Sequence, residues 1–115
     1  MWIYALVEIL IFIKPLRQKD FQQQKDDLLK AAQVAWLTDE HAEAERLLRT
    51  ILRMDDRDVE AWIHLGKVLK SVGREAESRV AFRSALNLDG SERWRWTLLY
   101  ELGEAHIHES ANDVS

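Results

Sequence analysis

The chain has 115 residues and a formal net charge of −4, with four Gly, one Pro and no Cys. That length fits one small domain, and so few turn formers argue against a sandwich or barrel of many short strands. The missing cysteine excludes a disulfide framework, a Cys-ligated zinc or iron–sulfur site and a thiol nucleophile, while the acidic balance argues against a nucleic-acid binder that works by neutralising phosphates.

The first element is an apolar run, Met1 to Ile13, in which Glu8 is the one charged residue. A helix that is apolar all round must be buried in protein or lipid. At about 1.5 Å per residue the run is roughly 20 Å long, short of a hydrocarbon core of about 30 Å. Three readings stand: a short membrane anchor, an interfacial helix, and a helix packed on protein. Lys14, Arg17 and Lys19 follow directly. By the positive-inside tendency that flank, and all that follows it, is expected on the cytoplasmic side, with lipid contact through residues 1–19. No basic residue precedes the run and no small-residue cleavage site follows it, so it does not read as a signal peptide. Pro15 tends to end or kink a helix and the Gln-rich stretch after it fits either helix or linker, so residues 14–24 read as a junction.

Beyond the junction the sequence repeats with a period of 34. Residues 25–58 laid over 59–92 pair Ala32 with Gly66, Val34 with Val68, Ala44 with Ser78, Leu48 with Phe82, and Leu52 with Leu86. One more step takes Trp62 to Trp96 and Leu65 to Leu99. A fixed period of this size marks a solenoid of stacked supersecondary units. The spacing predicts helices near 25–37 and 41–54 in the first unit. In the second, Asp58 is the expected N-cap, Trp62, Leu65, Gly66 and Leu69 form one buried stripe, and Gly73 ends that helix. Ala76, Val80, Phe82, Ala85, Leu86 and Leu88 mark the next stripe, broken at Asp89-Gly90-Ser91. A last helix from Glu92 to about Ile107 is expected to cap the pair, with Trp96 in the core. Residues 108–115 read as a polar tail.

The residues Trp62, Leu65, Gly66, Leu69, Gly73, Ser78, Phe82 and Ala85 resemble the tetratricopeptide repeat, including its Trp-x-x-Leu-Gly core. Leu69, Ser78 and Gly90 stand where Tyr, Ala and Pro are usual in that family. The first unit matches less closely, with Leu28 in the Trp place, and the resemblance covers about residues 25–106. It implies an all-α solenoid of antiparallel helix pairs: a repeat over 25–58, a second over 59–92 and a capping half-repeat over 93–107, preceded by the hydrophobic N-terminal helix. Small side chains at Ala32 with Ala44, and at Gly66 with Ser78, are needed where paired helix axes approach.

The resemblance further implies binding of a peptide segment along the face formed by the first helix of each unit. Carried over place by place, that groove falls on Asp26, Leu29, Gln33 and Trp36 in the first unit. It continues on Glu60, Ile63, Lys67 and Lys70, then on Trp94, Thr97 and Glu101. Trp36, Trp94 and Lys67 are the leading contact residues. The carboxylate-clamp places of one family subgroup hold Leu29, Gln33, His64, Trp94 and Leu98 here, so a clamp of that kind is not expected.

Chemistry is scarce. His106 and His108 lie two apart, on different sides of a helix, and cannot both ligate one metal from regular helix. Asp55, Asp56, Asp58 and Glu60 read as charges at a helix junction, where a new N-terminus favours acids. The many Arg residues alternate with Glu43, Glu45, Glu75 and Glu77 at spacings that give exposed ion pairs. No phosphate loop, Gly-x-Ser-x-Gly or His-Glu-x-x-His occurs. The expectation is a non-catalytic interaction module, membrane-tethered, without metal or cofactor, with a protein or peptide partner and no nucleic acid. The alternative is a structural subunit whose N-terminal helix covers the open end of the solenoid or pairs with a second chain as a homo-oligomer.

Overall fold

The computed structural model describes residues 2–103, which are helical throughout with short turns between. In chain order they form α1 (Trp2–Leu37), α2 (His41–Met54), α3 (Val59–Ser71), α4 (Glu75–Leu86), a 3-10 turn (Glu92–Trp94) and α5 (Arg95–Glu101). Connections of three to five residues force successive helices back alongside one another. Each helix accordingly packs on its neighbours in the chain.

Two turns carry the 34-residue repeat in their backbone. Asp39 has φ +61° and Gly73 has φ +84°. After α1, the Asp39 N–H donates to Trp36 O at 3.2 Å and the Glu40 N–H to Ala35 O at 2.8 Å. After α3, the Gly73 N–H donates to Lys70 O at 3.1 Å and the Arg74 N–H to Leu69 O at 2.9 Å. Both are Schellman ends, in which a left-handed residue returns two N–H groups to the last carbonyls of the helix. Glycine takes that conformation freely; in the first unit Asp39, a short polar side chain that tolerates it, does the same work.

The α3 stripe is buried as its spacing predicts at Leu65, Gly66 and Leu69, with Trp62 half-buried. Ala44, Leu47, Leu48 and Ile51 of α2 meet Ala32 and Ala35 of α1 and Ala61, Leu65, Val68 and Leu69 of α3 in one core. Ile63, Phe82, Ala85, Leu98 and Leu102 form a second core further along, and Trp62 packs against both. Its indole N–H donates to Asp56 O at 2.8 Å. Each fully buried Leu or Phe contributes on the order of 1.5–3 kcal/mol. At the predicted close approach of α3 and α4, the Ser78 hydroxyl donates to Gly66 O at 2.8 Å.

Charged groups brace the layers. The Lys25 ammonium of α1 lies 2.7 Å from Asp55 and 3.2 Å from Asp58, at the turn between units. Arg74, in the α3–α4 turn, reaches Glu45 of α2 at 2.7 Å and Glu77 of α4, and Arg49 joins the same carboxylates.

Several expectations are corrected. Residues 14–24 do not separate two helices: α1 is one 36-residue helix, with Pro15 inside it. The Gln, Lys and Leu residues around the proline are good helix formers and carry the helix across. At about 54 Å, α1 far outreaches the roughly 21 Å of α2, so α2 covers its C-terminal part alone. Ile3, Tyr4, Leu6 and Val7 are exposed, so these side chains are not packed against the other helices. Among the described residues no helix is long and apolar enough to cross a membrane. The apolar run meets Lys14, Arg17 and Lys19 too soon, and the transmembrane-helix reading has no support.

In α4, Val80 is 64% exposed and Ala76 is exposed as well, while Ser78, Ala81, Phe82 and Ala85 face inward. Phe82, the largest side chain, sets the phase of that helix, and i−4, i−1 and i+3 follow it. The third unit departs from the period. α5 ends at Glu101, and Gly103, with φ +75°, follows 30 rather than 34 residues after Gly73. Its buried side chains among the described residues are Leu98, Leu99 and Leu102. Trp96, expected in the core, is 67% exposed. The expected extension to Ile107, the histidine pair and the polar tail lie outside the described residues.

Candidate functional site

α1 and α3 lie side by side over α2, and a groove of about 290 Å³ opens between them. Ala32, Gln33, Trp36 and Leu37 line it from α1, His64, Lys67 and Val68 from α3, and Leu48 from α2. Ala32, Leu48 and Val68 are buried and give the groove an apolar floor. Gln33 and Trp36 reach one wall from adjacent turns of α1, and His64 and Lys67 reach the other for the same reason. The Trp36 ring is held edge-on against His41 at the start of α2, with ring centroids 5.5 Å apart and planes at 73°.

The electrostatics of the groove are simple. Burial, and then the positive charge of Lys67, push the His64 pKa below its ordinary value, so the imidazole is neutral near pH 7. No carboxylate among the described residues lies within salt-bridge distance of the Lys67 ammonium. Lys25, Lys70, Arg46, Arg49 and Arg74, by contrast, are each ion-paired.

The structure divides the residues expected from sequence. Gln33, Trp36 and Lys67 come together in the groove. Leu29 is half-buried against the first core and does not line it. Ile63 is corrected outright: at 3% exposure it belongs to the second core and cannot touch a partner. Lys70 and Glu101 pair with each other at 3.1 Å and tie α3 to α5. Trp94 packs on the second core, with the Arg93 guanidinium 4.8 Å above its ring, and Thr97 is exposed on α5.

Leu37, His64 and the floor residues Leu48 and Val68 were not singled out as contacts from sequence. Leu37 and His64 sit one helical turn from Gln33 and Lys67, which is the signal that locates them. Leu48 and Val68 carry none, because their helical phase marks them as core. A smaller hollow of about 150 Å³ is lined by Arg49, Trp62, Leu65, Leu69, Glu77, Val80 and Ala81. The Arg49–Glu77 pair at 3.5 Å bridges its lining. Among the described residues no three His, Asp or Glu side chains converge to hold a metal ion.

No protein-family model matches the chain. Over 85 residues it is 26% identical to Superkiller complex protein 3 of Homo sapiens, an alignment that takes in 74% of this chain and 5% of the human protein. The chain therefore corresponds to a small part of that relative's length.

Proposed function

We propose that this chain is a non-catalytic protein-interaction module of the tetratricopeptide-repeat type, two helix pairs closed by a capping helix. It holds a peptide or protein segment in the groove between α1 and α3 and so helps to assemble a larger complex. The observation that carries this reading is the groove itself. Three of the residues expected from sequence, Gln33, Trp36 and Lys67, converge on an apolar-floored hollow. The repeat of the Schellman ends at Asp39 and Gly73 supports the family assignment. Similarity to a protein named for a complex supports the role in assembly. Protein, rather than nucleic acid, is the partner class that suits a net charge of −4.

Site-specific photo-crosslinking in cells tests this. A benzophenone side chain at Gln33 should give a discrete adduct with a partner protein, and one at Arg79, exposed on α4, should not. Equal labelling at both positions, or none at Gln33, would count against the groove.

A second reading is favoured by the N-terminal arm of α1, whose Ile3, Tyr4, Leu6 and Val7 stay exposed. In it the chain is a structural subunit attached through that arm to a second chain. Removing residues 1–20 should then abolish self-association or complex formation while the helix pairs remain folded. Membrane association through residues 1–19, with the repeats on the cytoplasmic side, would use the same arm; flotation with anionic vesicles separates it from protein contact.

A further inference from the structure

The geometry points to a specific partner chemistry: the groove takes a segment with one bulky apolar side chain and an Asp or Glu carboxylate close beside it. This rests on the reading of the groove as the partner surface. At about 290 Å³ the hollow lies at or below the lower edge of small-molecule sites, which run from about 300 to 1,000 Å³. It suits one or two side chains of a bound segment. Its floor, Ala32, Leu48 and Val68, and its walls, Trp36 and Leu37, offer carbon surface to such a side chain. Trp36 is already fixed against His41, so little side-chain freedom is lost when its ring is covered.

Charge decides the rest. Lys67 is the cation that lines the groove, and it has no carboxylate partner among the described residues. Gln33 is a neutral amide and His64 is held neutral by burial and by Lys67. Seating an apolar anchor on the groove removes water from around Lys67, and a charge losing its water needs an opposite charge or a set of hydrogen bonds. A carboxylate beside the anchor supplies that; a basic residue in its place meets repulsion. Gln33 can donate a further hydrogen bond to the same segment.

Selection from a random twelve-residue peptide library on the immobilised full chain tests the inference. Enriched peptides should pair Leu, Ile, Met or Phe with Asp or Glu a few positions away. Selection on Lys67→Glu should reverse the preference to Lys or Arg. A resynthesised peptide should lose about tenfold in affinity on Trp36→Ala or Leu37→Ala, each shown to be folded by circular dichroism. It should lose about fivefold on Lys67→Gln, and replacing its carboxylate by the amide should then cost nothing more. Peptides that need Trp36 but are neutral or basic overturn the chemistry and leave the groove reading standing. Peptides indifferent to both Trp36 and Leu37, or no enrichment at all, overturn both.

Discussion

Gly66 lies directly beneath the ring of Phe82: a methyl group added to Gly66 would sit 2.5 Å from Phe82 Cε1 and 2.8 Å from Cζ. The ring is fully buried. α3 and α4 are thus set at a distance that tolerates no side chain at position 66. Gly66→Ala is expected to cost about 1–3 kcal/mol through overpacking, read from chemical denaturation. Combining it with Phe82→Leu should cost less than the sum of the two single changes, because the smaller residue vacates the space the methyl needs.

Asp58 serves two layers at once. One carboxylate oxygen accepts from the Ala61 N–H at 3.1 Å and caps α3, while the other lies 3.2 Å from Lys25 of α1. Asp58→Asn keeps the cap and weakens the ion pair; Asp58→Ala loses both and should be about 1 kcal/mol worse than Asn. Lys25, 8% exposed, is the more severe site. Its removal leaves Asp55 and Asp58 facing each other without a cation, and Lys25→Ala should cost about 1–3 kcal/mol.

The pH dependence of that pair has a definite sign. The Lys25 hydrogen bond, then the Arg57 N–H, hold the Asp55 carboxyl below its ordinary pKa. Its stabilising effect is present above about pH 4 and is lost as the pH falls through the lowered folded value. Burial works against the Lys25 ammonium, but its hydrogen bonds to Asp55 and Asp58 outweigh that and raise its pKa. The ammonium's share is present below about pH 10.4 and is lost as pH rises through the raised value. Lys25→Met should flatten both edges of a stability–pH curve.

His64 gives a separate slope. Burial first, then Lys67, lower its pKa, with Glu60 and Asp58 acting weakly the other way. The unfolded chain binds a proton near pH 6.5 that the folded chain resists, so stability should fall as pH drops from about 6.5. His64→Gln should remove that slope between about pH 7 and 5, measured by urea denaturation.

The third unit tests which face of α5 is buried. Leu98 is fully buried and Leu98→Ala should cost about 2–5 kcal/mol. Trp96→Ala, though it deletes a larger side chain, should cost far less. Thermal melts of the two variants that reversed this order would put Trp96 back in the core.

Much of the helical architecture was legible in the sequence because local rules set it. Asp58 capped α3 as expected, Gly73 took a positive φ, and the α3 stripe faced inward. What misled was extrapolation. Carrying the period one unit further put Trp96 in the core, whereas α5 buries Leu98, Leu99 and Leu102 and leaves Trp96 exposed. Val80 and Ala76 satisfied a hydrophobic count, but the ring of Phe82 fixed the phase of α4. Pro15 and the glutamines looked like a boundary because proline usually stops a helix, yet the helix formers around them extend α1 through it. In the groove, Gln33, Trp36 and Lys67 could be placed by register. Ile63 could not, since position within a repeat does not tell which side of α3 the second core will claim.

The indole N–H signals of the tryptophans offer the most direct measurement of the groove. Trp36 lines it, the Trp62 N–H is held by Asp56 O, and Trp96 lies on α5. A nitrogen–proton correlation spectrum of the full chain, titrated with a library-selected peptide, is expected to move the Trp36 indole signal with the backbone signals of Gln33, His64 and Lys67. The Trp62 and Trp96 indoles should stay in place. Shifts concentrated at Trp96 and α5, with Trp36 unmoved, would contradict the groove as the partner surface.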